Sequence, residues 1–186
     1  MKVLSIDPGM RNLAYVFTDG GLVCTARRVD IFDGLPINKD TCFNHINVWC
    51  AANANLFHEA DVVVIEKQFM DGKVVLSSCL LIVQTVLQMW AGEKCLLVHA
   101  MTVKKYYGTN RGSHPLNKRA SVEMAKSLWP GLCEIKEKVD DIADAFLLAH
   151  FAAHNSFSHA LGKGCRWTPS QRPRESSTPS TELKEA

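Results

Sequence analysis

Four acidic residues stand where one sheet and one helix would gather them. Asp7 closes the short run Lys2 to Asp7, and Glu66 closes the β-branched run Asp-Val-Val-Val-Ile-Glu at 61–66. Asp141 and Asp144 lie three apart at the start of an apolar stretch (Ile142, Ala143, then Ala145 to Leu148), which puts both on one helical face. Asp140 with Asp144, four apart, would serve as well geometrically, and spacing alone does not choose between the pairs. Singly, each acid has a plain use as a strand end in water, an ion-pair partner or a helix cap. Together they imply more. Carboxylates a few ångström apart repel by roughly 1 kcal/mol per pair in water and severalfold more in a cleft. Such a cluster makes sense when divalent cations occupy it, and all-oxygen donors favour Mg²⁺, with Mn²⁺ as a substitute, over zinc. Two such ions about 4 Å apart would activate a water and stabilise the leaving 3′-oxygen of a phosphodiester.

The surrounding pattern predicts elements able to position these acids. Residues 2–7, 12–19 and 22–29 read as a three-stranded antiparallel meander with a Gly20-Gly21 hairpin. A loop rich in Asp, Gly, Pro and Asn follows, then a helix from Thr41 to about His58. The run 61–66 reads as a strand buried on both faces. Residues 74–90 form a helix that is apolar nearly all round, ended by Gly92, and 95–99 a further strand. Short helices are expected at 102–107, 117–128 and 140–153, with a polar loop at 108–115 and Trp129-Pro130-Gly131 as a stop. This is an α/β pattern in which a mixed five-stranded sheet, three strands antiparallel and two parallel, is flanked by helices. With right-handed crossovers, the strand ending at Glu66 lies parallel beside the one ending at Asp7, so both carboxylates emerge at the same edge. Pro8-Gly9 then lets backbone and ligand approach Asp7 closely.

Bulk properties set limits. At 186 residues, 47% hydrophobic and 22% charged, the chain suits one domain at 1–159. A tail at 160–186, dominated by Pro, Ser, Thr, Arg and Glu, is expected to be disordered. No charge-free run spans a membrane, since 74–92 is broken by Ser77, Ser78, Gln84, Thr85 and Gln88. The first residues are too soon charged for a signal peptide, so a soluble intracellular protein is expected. Seven cysteines without a Cys-x-x-Cys pair suit reduced core thiols. Cys42, His45, Cys50 and His58 do not converge if their segment is a helix, so zinc is not expected. Net charge is +2, and five basic against three acidic groups in the tail account for it. Within the balanced remainder, Lys104, Lys105, Arg111, Lys118, Arg119 and Lys126 face Glu123 alone, a candidate phosphate-binding surface or a solvated basic face.

The motifs carry a resemblance. Ser5-Ile6-Asp7-Pro8-Gly9-Met10-Arg11-Asn12-Leu13-Ala14 resembles the opening strand of RuvC-like Holliday-junction resolvases, with its Ile-Asp-Pro-Gly pattern. Val64-Ile65-Glu66-Lys67-Gln68-Phe69-Met70 is similar to their Ile-Glu motif, and Asp141-Ile142-Ala143-Asp144-Ala145 to their Asp-x-x-Asp-Ala helix. Order and separations match over roughly 1–154, most nearly in the style of poxvirus and iridovirus resolvases. The resemblance implies an RNase H-like fold, and it selects Asp141 over Asp140. It also implies a Mg²⁺-dependent homodimer, without a small-molecule cofactor, that cuts two opposed strands of a branched four-way DNA junction symmetrically. Part of the helix 74–92 could then pack across a two-fold axis. Lys104 matches a basic position near the scissile phosphate, and Lys118 a second one on the next helix. DNA contacts are expected from Phe69, Lys104, Lys105, Arg111, Lys118 and Arg119. Phe69 would stack on bases at the exchange point for about 1–3 kcal/mol per base, or else is a core residue. A viral member would work in the host cytoplasm or nucleus.

Three other readings share some of these features. A sibling RNase H-like nuclease would keep the acids and prefer flaps or hybrids. A junction-binding protein without cleavage would have lost an acid. An actin-like phosphotransferase needs a second, repeated domain for which 186 residues leave no room.

Overall fold

The computed structural model describes residues 1–68, 74–135 and 138–155. Phe69 and the tail at 160–186 lie outside them. The chain opens with strands β1 (Lys2–Asp7), β2 (Leu13–Asp19) and β3 (Leu22–Val29), paired antiparallel as the meander predicts. Gly20 and Gly21 turn the hairpin at φ 57° and 89°, values that a side chain would make costly. Helices α1 (Lys39–Ala52) and α2 (Ala54–Glu59) precede β4 (Val62–Glu66), and α3 (Val74–Ala91) precedes β5 (Cys95–Val98). Helices α4 (Ala100–Tyr107), α5 (His114–Leu128) and α6 (Val139–His154) complete the order. The sheet runs β3-β2-β1-β4-β5, with β4 parallel to both β1 and β5. This is the mixed five-stranded sheet anticipated from the strand pattern.

Alternation along the strands divides the interior. Leu4 and Ile6 of β1, Leu13, Tyr15 and Phe17 of β2, and Val63 and Ile65 of β4 face one layer. That layer holds Ile46, Trp49 and Cys50 of α1, Phe57 of α2, and Val83 and Leu87 of α3. The opposite positions, Val3, Ala14, Val16, Val64 and Val98, pack on α6 through Ile142, Phe146, Leu147 and Phe151. Asp7 continues the alternation of Val3 and Ser5, and Glu66 that of Val64, so both point into the α6 layer. Ser5 ties the two together, because its buried hydroxyl donates to the carbonyl of Ala145 at 2.7 Å, one residue past Asp144.

Several boundaries differ from expectation. The helix foreseen over 41–58 is two helices, broken at Asn53, whose backbone N–H and side-chain Nδ2 both reach the Trp49 carbonyl and close α1. The apolar period runs on through the break and hides it. Helix α5 begins at His114 rather than 117, because Pro115 suits a helical first turn as well as a loop. Helix α4 begins two residues earlier than foreseen, at Ala100. Helix α3 is also less uniformly buried than its composition suggests. Gln84 is buried and its Oε1 accepts from the Gln68 backbone at 2.7 Å, while Leu76 and Met89 are exposed.

The Ser5 bond predicts that Ser5→Ala removes a buried hydrogen bond between β1 and α6 at a cost of about 0.5–1.5 kcal/mol. Urea denaturation should show a lower midpoint, and an unchanged midpoint would contradict the bond.

Candidate active site

Each acid is delivered by an element end. The pairing Ile6↔Ile65 brings β1 and β4 side by side, so Asp7 and Glu66, one residue on, leave the sheet together at its C-terminal edge. Beyond Asp7 the chain turns so tightly that a Cβ on Gly9 would lie 2.9 Å from the backbone carbon and oxygen of Asn12. Glycine is needed here for the turn itself, a reason additional to ligand access. Beyond Glu66, the Lys67 N–H donates to the Val98 carbonyl at 2.8 Å and Gln68 is held by Gln84, so the exit of β4 is secured. The N-terminal turn of α6, seated by its apolar face, brings Asp141 and Asp144 over that edge.

Electrostatics show how closely the four acids are gathered. Burial pushes the Asp7 carboxyl well above its ordinary range, and the charges of Glu66, Asp144 and Asp141 push it further. Glu66 is raised from 4.5 to about 7, first by burial and then by Asp144. Burial also raises Asp144, whereas Ser121, Lys104 and Lys118 oppose the rise. Lys104 of α4 lowers Asp7 and Glu66 as well, and it lines a small cleft with Glu66, Asp144, Thr109 and Ser121. The Thr109 and Ser121 hydroxyls are buried there without a well-formed hydrogen bond, so Ser121 acts on Asp144 through proximity.

Asp141 and Asp140 part company. Asp141 is among the charges that raise Asp7, and its two oxygens meet different cations: Lys118 Nζ lies 3.4 Å from Oδ1 and Arg28 Nε lies 3.3 Å from Oδ2. Asp140 pairs closely with Lys118 and, at 3.4 Å, with Lys138. Burial alone would raise the Asp140 carboxyl, but these two lysines outweigh it and hold it low. Burial likewise works against the Lys118 charge, and the two aspartates outweigh it and raise that ammonium.

Of the anticipated DNA-contact residues, Lys104 and Lys118 thus stand among the acids, whereas Lys105, Arg111 and Arg119 lie on the exposed surface nearby. The basic residues of that stretch are therefore not one continuous patch, because Lys118 is already committed to two aspartates. Sequence reasoning missed Arg28 and Ser121. The signal for Arg28 was in the strand register, which needs the pairing to be known.

Among the described residues, no three His, Cys, Asp or Glu side chains form a preassembled ligand cage. The residues present nevertheless fit divalent cations. The donors are all carboxylate oxygens, and Lys104 offsets only part of their mutual repulsion at Asp7. The cysteine set looks different. Cys42 and Cys50 lie inside the apolar core, where burial pushes each thiol up to about 12, and His45 stacks on Phe32 with ring centres 4.6 Å apart.

Comparison with known proteins bears on the whole assembly. The family described as Poxvirus A22 protein matches over residues 1–155. No curated protein matches the chain. Among solved structures, T. thermophilus RuvC in complex with a Holliday junction substrate is similar with a TM-score of 0.60 at 18% identity, covering 84% of this chain and 97% of that one. A second Thermus thermophilus RuvC structure gives 0.54 at 19%, covering 83% and 96%. The yeast mitochondrial Holliday junction resolvase Ydc2 gives 0.54 at 18%, covering 79% and 75%. These likenesses establish a RuvC-like fold.

The raised Glu66 carboxyl has a consequence for stability. Between its ordinary 4.5 and about 7, the folded chain holds a proton that the unfolded chain has released, so stability falls as pH rises through that window. In EDTA, denaturant unfolding should show a loss on the order of 1–3 kcal/mol from pH 4.5 to 7.5, and Glu66→Gln should reduce it, leaving the part due to Asp7 and Asp144. A wild-type profile as flat as that of the variant would contradict the assignment.

Proposed function

The chain belongs to the Poxvirus A22 protein family, and on that premise we propose that it is an endodeoxyribonuclease that resolves four-way DNA junctions. The observation that carries this reading is the gathering of Asp7, Glu66, Asp141 and Asp144 at one sheet edge of a RuvC-like fold. Asp7 is the central acid, since the other three all act on it. Bound Mg²⁺, or Mn²⁺ in its place, would supply activation of a water and stabilisation of a leaving 3′-oxygen.

The chain's own residues do the rest. The four carboxylates would hold the cations. Lys104, beside Glu66 and Asp144, faces the place of the scissile phosphate and offsets charge that develops there. Lys118 is a second phosphate contact once it releases Asp141. Lys105, Arg111 and Arg119 extend the basic surface along the DNA backbone, where their contribution is salt-dependent and independent of sequence. Phe69, three residues past Glu66, stacks on bases at the branch point.

Symmetric cutting of two opposed strands calls for a homodimer, with the exposed Leu76 and Met89 of α3 as candidates for a two-fold contact. Among the described residues no helix is long and apolar enough to cross a membrane. Work on DNA in the host cytoplasm or nucleus is the location that belongs to this reading. The nuclease domain is residues 1–159, followed by a basic tail at 160–186.

Cleavage of a labelled four-way junction beside a flap, an RNA–DNA hybrid and a linear duplex, in Mg²⁺ and in EDTA, tests this reading. Paired symmetric nicks confined to the junction and lost in EDTA are expected. Preferential cutting of another substrate would transfer the function to a sibling nuclease. Asp7→Asn, Glu66→Gln, Asp141→Asn and Asp144→Asn should each lower cleavage by at least about a hundredfold while the junction is still bound, and a cleaving Asp144→Asn protein would remove that residue from the set. Lys104→Ala should slow the chemical step, and a loss limited to salt-dependent binding would make it a phosphate contact only.

A further inference from the structure

One basic side chain beside the acids has no part in this scheme. Arg28 comes from β3, and strand register sets it level with Asp7, because Asp7 pairs with Ala14 and Ala14 with Arg28. Residues opposed across neighbouring strands share a face, so the guanidinium stands in the layer of the acids, with only an alanine methyl between them. Its Nη2 donates to Asn12 Oδ1 at 2.8 Å, and its Nε lies 3.3 Å from Asp141 Oδ2. Both atoms of that second contact are buried, and they stand within ion-pair distance without a formed hydrogen bond. Asn12 belongs to the same turn that carries Asp7.

The other oxygen of Asp141 is held differently. Lys118 reaches Oδ1 at 3.4 Å, but its closer partner is Asp140. Lys118 therefore has somewhere to stay when Oδ1 is taken, whereas Arg28 and Asn12 form a fixed bracket behind Oδ2.

We infer that Arg28, aimed by Asn12, is a positioning residue that holds Asp141 Oδ2 and so presents Oδ1 to a divalent cation. This rests on the metal-site reading above. Ligating carboxylates are oriented by partners of this kind, and their loss costs about 10–100-fold in metal affinity or activity. A guanidinium can fork between two acceptors and a lysine ammonium cannot, so Arg28→Lys keeps the charge and removes the bracket. A phosphate contact would survive that change.

The full chain and its Arg28→Lys, Asn12→Ala and double variants would be compared for Mn²⁺ binding without DNA by electron paramagnetic resonance. Junction affinity against salt in EDTA, and single-turnover cleavage at saturating Mg²⁺ and junction, complete the set. Arg28→Lys should lose about tenfold or more in both Mn²⁺ affinity and cleavage, with junction affinity and its salt slope unchanged. Asn12→Ala, which leaves all charges in place, should move the same two quantities. The double variant should lose no more than Arg28→Lys alone, as links of one chain do. Parental Mn²⁺ binding and cleavage in Arg28→Lys would overturn the inference. So would a loss of junction affinity with Mn²⁺ binding unchanged, since Arg28 would then act on the DNA and not on the metal site. A parent chain that binds Mn²⁺ yet cuts no junction would instead overturn the functional reading and leave the Mn²⁺ comparison to judge Arg28.

Discussion

Like charges brought together where water is scarce must be offset, and the architecture of this chain is arranged around that constraint. Asp7, Glu66 and Asp144 all sit where burial penalises their ionised forms, and each raises or is raised by a neighbouring acid. Without counter-charge the cheapest response is protonation, which is the direction all three carboxyls take. Three basic side chains from three different elements, Arg28 of β3, Lys104 of α4 and Lys118 of α5, supply part of the offset. They do not complete it at Asp7. A cluster left incomplete in this way is suited to divalent cations and poorly suited to a purely structural role.

The rest of the fold keeps that cluster in register. Parallel pairing of β1 and β4 places two acids at one edge, and the buried Ser5 hydroxyl holds the acid-bearing end of α6 against β1. The two apolar layers are unequal in purpose. The layer of α1, α2 and α3 is nearly all hydrocarbon and thiol, and it keeps the sheet rigid from behind. The α6 layer is apolar along most of its length and becomes charged only at the sheet's C-terminal edge. Removing bulk at Gly9 and Ala14 matters as much as adding charge, because those small positions let the turn close and let Arg28 stand near Asp141.

Much of this was legible in the sequence, for physical reasons that differ from residue to residue. Asp7 and Glu66 could be placed because a β-branched run that stops on an acid marks a strand end, and two parallel strands share an edge. Asp144 followed from helical spacing. The choice between Asp140 and Asp141 was not legible from spacing, since both suit a first turn; it depends on where Lys118 and Lys138 stand, and those come from other segments. Arg28 was hidden for a related reason. In the linear sequence it is an ordinary strand arginine, and only the pairing of β2 with both neighbours puts it in the row of Asp7. The break at Asn53 and the early start of α5 were masked by an uninterrupted apolar period and by the double character of proline. Long-range register, rather than local propensity, is what the sequence reading lacked.

The central claim is that Asp7, Glu66, Asp141 and Asp144 form a divalent-cation site, and anomalous diffraction from crystals grown with Mn²⁺ tests it most directly. The account predicts Mn²⁺ peaks among these four carboxylates, two of them about 4 Å apart when DNA is bound. Peaks at Asp140 instead of Asp141, or none at the sheet edge at saturating Mn²⁺, would contradict it.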